Sequence, residues 1–146
     1  MTRRVVAVPP GLRLPVAWKL MTKDHFRHLP VVQGGALVGI LSDRDVRLYS
    51  SEVDGRVEVP DLPVGEIMSP APHVCLPTTP IADVVRSMTE NKIDALPVVD
   101  PSNDRLVGLV TTTDLLFLLI ELEEAKVPLP FQFELDVHQE GSAHPN

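Results

Sequence analysis

Leu29-Pro30-Val31-Val32 and Leu96-Pro97-Val98-Val99 are one phrase written twice, 67 positions apart. A repeat at a fixed offset sets the unit of folding, so it outranks any local signal. Carried backwards without a gap, the offset pairs Met21-Thr22 with Met88-Thr89, Leu14 with Ile81, Pro10 with Pro77 and Met1-Thr2 with Met68-Ser69. Carried forwards with two extra residues in the second copy, it pairs Leu37-Val38-Gly39 with Leu106-Val107-Gly108. It then pairs Ser42-x-x-Asp45 with Thr111-x-x-Asp114. The chain is two copies of one unit.

Each copy reads locally in the same order. Val5 to Val8, and His73 to Leu76, are short apolar segments ended by Pro, which predicts a strand in each. In copy 1 the stripe Leu14, Ala17, Trp18 and Met21 has helical spacing, with Pro15 tolerable because it lies in the first turn. The matching stripe in copy 2 is Ile81, Val84, Val85 and Met88, with Thr78 or Thr79 to cap it and Pro80 at its first position. Leu29 to Val32 and Leu37 to Leu41 then read as two strands around Gly34-Gly35, and copy 2 turns at Asp100-Pro101-Ser102-Asn103-Asp104. A second helix follows each Ser/Thr-x-x-Asp, over Arg44 to about Ser51 and Thr113 to about Lys126. The order is strand, helix, strand, strand, helix, twice.

The polar, acidic stretch Ser50 to Pro63 reads as a solvated connection, and Val64 to Ile67 as a helical turn leading into copy 2. The units are therefore residues 1–51 and 67–126, with a linker and lead-in at 52–66. Residues 127–146 form an arm, extended over Pro128 to Leu135 because its prolines forbid a helix, with a disordered end at Gly141 to Asn146.

Composition excludes several functions. With 13 Lys+Arg against 20 Asp+Glu, the chain of 146 residues carries a formal charge of −7. Nucleic-acid binding draws most of its affinity from clustered cations, so it is not expected here. The 44% of apolar residues can form a core, built mainly of aliphatic side chains because aromatics are only 4%. The longest apolar run, Leu115 to Ile120, is far short of the ~20 residues that span a bilayer, and Pro9 and Pro10 interrupt the apolar N-terminal segment. A soluble, cytoplasmic protein without a membrane partner is expected. Cys75 stands alone between Val74 and Leu76 and reads as a buried, reduced thiol.

The chemistry-bearing residues cluster at the Ser/Thr-x-x-Asp motifs. Ser42 and Thr111 stand where a strand ends, placing a hydroxyl near a phosphate or ribose oxygen. Asp45 and Asp114 fall in the first turn of a helix, where a carboxylate suits the dipole and can accept from two vicinal ribose hydroxyls. The unpaired amides of such a turn suit a phosphate. The same aspartate is also a good helix-start residue with no ligand at all. Arg44 and Arg47 in copy 1 are candidate phosphate partners, where copy 2 offers Thr112 and Thr113 instead. Which cleft Arg44 serves is left open by the sequence. His25-x-x-His28 lacks a third ligand, so no metal is assigned, and no phosphate loop or nucleophile motif points to an enzyme.

A Met-Ser/Thr start, Leu-Pro-Val-Val, then Leu-Val-Gly-Ile/Leu-x-Ser/Thr-x-x-Asp and an apolar helix, twice in register, resembles a tandem pair of cystathionine-β-synthase-type (CBS) domains, a Bateman module. The resemblance covers residues 1 to about 126. It implies an α+β fold in which two β-α-β-β-α repeats pack through their sheets with pseudo-twofold symmetry. It also implies a regulatory ligand, an adenine nucleotide (AMP, ADP or ATP) or S-adenosylmethionine, bound between the repeats. The base would sit against the backbone of His28, Leu29 and Pro30 with the segment at Val5 and Val6 in one site, and against the backbone of Ala95, Leu96 and Pro97 with the segment at Pro72 and His73 in the other. His28 is bulkier than expected at its position, so Thr111 and Asp114, grouped with the small Ala95, are expected to anchor the better-formed site and Ser42 and Asp45 the lesser. The alternative is a structural or protein-interaction module with vestigial clefts.

Leu115 to Ile120, with Leu122, is apolar around the whole helix, whereas one stripe suffices to cover a sheet. A homodimer through the Leu115–Leu122 helix is expected, assisted by Phe131 and Phe133, besides any regulated protein partner.

Overall fold

The computed structural model describes residues 5–70, 73–122, 126, 128–132 and 134–137. Helix α1 spans Leu14–Asp24, with Pro15 in its first turn and Leu14, Ala17 and Met21 buried, while Trp18 is half-buried. It closes on His25 in the left-handed region, φ 59°, and the Phe26 amide donates back to the Met21 carbonyl at 3.0 Å. Strands β1 (His28–Gln33) and β2 (Ala36–Ser42) follow as an antiparallel hairpin. Gly34 and Gly35, at φ 61° and 83°, form its two-residue turn, whose twist matches that of the strands.

Helix α2 covers only Asp43–Leu48, short of the expected Ser51. The Ser50 amide turns back to the Arg47 carbonyl at 3.3 Å and the Ser50 hydroxyl donates to the Val46 carbonyl at 2.6 Å, closing the helix early. The stretch expected as a plain connection instead holds a hairpin, β3 (Ser51–Val53) and β4 (Arg56–Glu58). Asp54 and Gly55, at φ 53° and 76°, supply its turn, a pair that favours this geometry.

The expected strands at Val5 to Val8 and His73 to Leu76 reduce to single parallel bridges, Val8 with Val31 and Cys75 with Val98. Val8 donates to the Pro30 carbonyl at 3.0 Å and Cys75 to the Pro97 carbonyl at 2.9 Å. Pro9 and Pro77 follow at once and have no amide with which to extend either pairing.

Helix α3 (Val64–Ile67) buries Val64 and Ile67 in the core of copy 1, and strand β5 (Ser69–Pro70) adds to β2 with Gly39 opposite Pro70. A side chain at Gly39 would stand 2.9 Å from the Ser69 carbonyl oxygen, so the close approach needs glycine. The start of copy 2 is thus stitched to the sheet of copy 1.

Copy 2 continues with α4 (Ile81–Glu90), β6 (Ala95–Val99), β7 (Leu106–Thr111) and α5 (Thr112–Glu121). Pro80 is the N-cap of α4 rather than its first residue, and the Thr79 hydroxyl accepts from the Leu76 amide at 2.9 Å instead of capping. Val84 and Met88 are buried as the stripe requires, but Ile81 and Val85 are exposed. Helix α5 stops before Lys126, because Leu122 turns to the extended region at ψ 134°. The arm carries no helix or strand among its described residues, and Phe133 and Gly141 to Asn146 lie outside them.

The sheets are β1-β2-β5, β3-β4 and β6-β7, all antiparallel, which makes the fold a mixed α+β arrangement of small sheets and helices. Cys75 is buried, and burial pushes its thiol pKa up, away from the reactive thiolate. Among the described residues no helix is long and apolar enough to cross a membrane.

Candidate functional site

Both Ser/Thr-x-x-Asp motifs fold as capping boxes. The Ser42 hydroxyl accepts from the Asp45 amide at 3.0 Å, and Asp45 Oδ2 accepts from the Ser42 amide at 3.0 Å. In copy 2 the Thr111 hydroxyl accepts from the Asp114 amide at 3.3 Å, and Asp114 Oδ2 from the Thr111 amide at 2.7 Å. Helix-start and ligand-binding roles therefore need the same atoms in the same place. The box holds hydroxyl and carboxylate together at the head of the helix, with no ligand required to order them.

The turn that joins the first helix of each repeat to its first long strand faces these boxes. His25-Phe26-Arg27-His28 and Lys92-Ile93-Asp94-Ala95 occupy equivalent positions, and both begin on a left-handed residue, His25 at φ 59° and Lys92 at φ 53°. Each turn also caps the second helix of its own repeat: the Asp43 amide donates to the Arg27 carbonyl and the Thr112 amide to the Asp94 carbonyl, both at 2.9 Å.

Two clefts form where these pieces meet, and each is built crosswise. The first, of about 540 Å³, combines Val5, Val6 and the turn His25 to His28 of copy 1 with Thr111, Thr112, Thr113 and Asp114 of copy 2, and is completed by Leu109, Leu116 and Phe117. The second, of about 220 Å³, combines Ser42, Asp43, Arg44 and Asp45 of copy 1 with Ser69 and the turn Lys92 to Ala95 of copy 2. Arg27, His28 and Asp94 form a wall common to both. The first volume lies in the ordinary range for a small-molecule site, ~300–1,000 Å³, and the second is smaller.

This assembly regroups the residues singled out from the sequence. Ala95 lies in the cleft of Ser42 and Asp45, not in that of Thr111 and Asp114, whose opposite wall is His28 with Val5 and Val6. Arg44 faces the cleft of its own motif. Arg47 faces neither: its guanidinium stacks over the Trp18 ring at 5.2 Å. Leu29, Pro30, Leu96 and Pro97 are fully buried, so their side chains line neither cleft. His73 is exposed and lines neither, and Pro72 lies outside the described residues. Among the described residues no cluster of three His, Cys, Asp or Glu is placed to hold a metal.

Arg27, Phe26, Lys92, Asp94 and Phe117 line the clefts and were not among the sequence candidates. Four of them sit at the two equivalent turns, so extending the repeat alignment a few residues upstream of Leu-Pro-Val-Val would have found them. Phe117 has no such signal, since it reads as one more apolar residue of a helix.

Burial is the main influence on His28 and pushes its pKa below the ordinary histidine value, outweighing the opposite pull of Asp94 and Asp43. At neutral pH the shared wall therefore presents a neutral imidazole, with one donor and one acceptor nitrogen. Arg27 pairs with Asp43 at 3.6 Å, and both line the second cleft.

Comparison with known proteins places this geometry. The family model described as the CBS domain matches residues 1–52 and 64–121. The CBS domain-containing protein YhcV of Bacillus subtilis is 34% identical over 117 residues, covering 79% of each chain. Among solved structures, CBSX2 in complex with AMP has a TM-score of 0.67 at 30% identity, covering 83% of this chain and 92% of that one. The CBS domain pair of protein MJ0100, in complex with 5′-methylthioadenosine and S-adenosyl-L-methionine, has a TM-score of 0.68 at 26% identity, covering 83% and 92%. Other curated relatives are longer, and the chain spans 44% or 22% of their length. The chain belongs to the CBS domain family and carries two repeats of it.

Proposed function

We propose that the protein is a regulatory module, working in the cytoplasm, that binds an adenosyl ligand between its repeats and thereby modulates its association with itself or with a partner. The ligand class is AMP, ADP, ATP or S-adenosylmethionine. The observation that carries this reading is the crosswise cleft of Thr111 and Asp114, which joins a preorganised hydroxyl and carboxylate of one repeat to the apolar Val5, Val6 and Phe26 of the other. The carboxylate would accept from the ribose hydroxyls while the apolar wall covers the base. Because each cleft takes residues from both copies, a bound ligand ties the copies together, and its effect is limited to the difference in its affinity for their arrangements. Neighbours solved with AMP and with S-adenosyl-L-methionine support the ligand class. No catalytic step is assigned.

A second reading, an interaction module with vestigial clefts, is favoured by the capping boxes themselves, which account for both motifs without a ligand. Stability of the purified chain with and without AMP, ATP and S-adenosylmethionine separates the two. A ligand present at about 100 times its Kd adds about 2.7 kcal/mol. No stabilisation by any of them at saturating concentration leaves the interaction module as the function.

For assembly, the occupant proposed for the α5 face is a second copy of the chain. Leu116, Phe117, Leu119 and Ile120 are all more than half exposed, and between α4 and α5 runs an apolar groove of about 670 Å³ walled by Ile81, Val85 and Leu119. A face apolar over two helices can be buried against the same face of a second copy, as in a twofold interface.

A further inference from the structure

The two clefts share a plan but not a chemistry. The first presents the rings of Phe26 and Phe117, and its fixed cation, Arg27, is held by Asp43. Its other charges are the carboxylates of Asp94 and Asp114. The second has no phenyl ring, only the shared His28 imidazole, and receives Arg44 from copy 1 and Lys92 from copy 2. Neither Arg44 nor Lys92 makes an ion pair among the described residues. Three carboxylates also face this cleft: Asp43 is paired with Arg27, Asp45 is engaged in its capping box as Asp114 is in the first cleft, and Asp94 is common to both clefts.

We propose that the clefts divide adenosyl ligands by the charge of the 5′ substituent. The cleft of Ser42 and Asp45 takes a phosphorylated ligand. The cleft of Thr111 and Asp114 takes one whose 5′ group is uncharged or cationic, such as a thioether or sulfonium. This rests on the adenosyl reading above.

A phosphate leaving water needs charged donors to replace its hydration, and the second cleft offers a guanidinium and an ammonium that have no ion-pair partner among the described residues. Both are exposed and line a space too small to enclose a whole nucleotide, so a phosphate tail would reach solvent beside them. In the first cleft the same phosphate would meet Asp94 and Asp114 with no lysine or arginine beyond Arg27, which both clefts share. A sulfonium there gains from the carboxylates and from an aromatic face.

Calorimetry on the full chain tests the division, with AMP and 5′-methylthioadenosine as probes. Each probe is expected to bind with unchanged affinity when the other is saturating. The double variant Arg44→Gln/Lys92→Gln, altered only at exposed positions, is expected to weaken AMP about tenfold, from the loss of charged hydrogen bonds, without altering the affinity for 5′-methylthioadenosine. Added salt weakens AMP alone. Competition between the probes for one site, or an AMP affinity unmoved by the double variant, overturns the division while leaving the adenosyl reading intact. Absence of binding by either probe overturns the division, and if ATP and S-adenosylmethionine also fail to bind, the adenosyl reading falls with it.

Discussion

Copy 1 and copy 2 carry the same elements but not the same cover. The main core cluster joins Val8, Leu14, Ala17, Met21, Leu29, Val31, Leu41 and Val46 of copy 1 to Val64 and Ile67 of the following segment. The cluster of copy 2 is Cys75, Val84, Met88 and Leu96. Helix α5 is the more apolar of the two second helices, yet none of its residues is buried. The difference arises because copy 1 recruits its neighbours: the chain folds back so that the Leu14 amide reaches the Leu62 carbonyl at 2.7 Å, α3 enters the core and β5 covers the edge of β2. Among the described residues no further strand joins β7, which meets copy 1 only at its start, where the Leu106 amide donates to the Gly35 carbonyl at 3.3 Å beside the isolated Ala36–Arg105 bridge. One repeat pattern specifies the elements; chain order decides which copy is closed and which is left open.

The largest expected effects test this contrast in stability. Leu29 and Leu96 are equivalent and both fully buried. Leu29→Ala, in the larger cluster, should cost about 3 kcal/mol in urea unfolding, and Leu96→Ala about 2 kcal/mol, because the smaller, more open cluster collapses further around the deleted atoms. Equal costs would mean that copy 2 is as rigidly packed as copy 1.

Next comes the exposed helix. Leu119→Glu places a charge on the proposed interface and should convert a dimer to a monomer by light scattering coupled to size exclusion, with no loss of helicity. A wild-type mass near that of one chain at micromolar concentration removes the interface on the open copy.

The two boxes sharpen the comparison further. Asp114→Ala and Asp45→Ala each remove a capping contact and should cost about 1 kcal/mol of stability alike. Only Asp114→Ala should weaken 5′-methylthioadenosine, by about tenfold in calorimetry, because Asp45 stands in the other cleft. Equal weakening by both would mean that the clefts act as one site.

The smallest effect lies at His28, whose counterpart is Ala95. Its folded pKa is depressed by burial, so as pH falls the unfolded chain takes up the proton first. The contribution of His28 to stability is therefore present above about pH 6.5 and is lost as pH falls through the lower folded value. Thermal melts of His28→Gln should show a shallower loss between about pH 7 and pH 5 than the wild type. Parallel curves would place His28 in water rather than in the wall of the clefts.

The sequence by itself determined the repeat, the order of elements and the motif that heads each second helix. These depend on spacing within a few residues: apolar positions at helical or strand period, a Gly-Gly turn, a Ser/Thr three residues before an Asp. The hairpin of β3 and β4 was legible on the same terms in Asp54-Gly55, but the surrounding acidic residues weighed towards a plain connection. Only the tertiary structure decided which half-sites meet. Ala95 and Thr111 belong to one copy, which is why the sequence groups them in one site, and they do pair across β6 and β7. The clefts instead lie between repeats, where His28 meets Asp114 and Ala95 meets Asp45. Pairing within a repeat is set by backbone hydrogen bonds that local sequence specifies. Pairing between repeats is set by how two apolar surfaces pack, and residues far apart in the chain leave no local pattern of that contact.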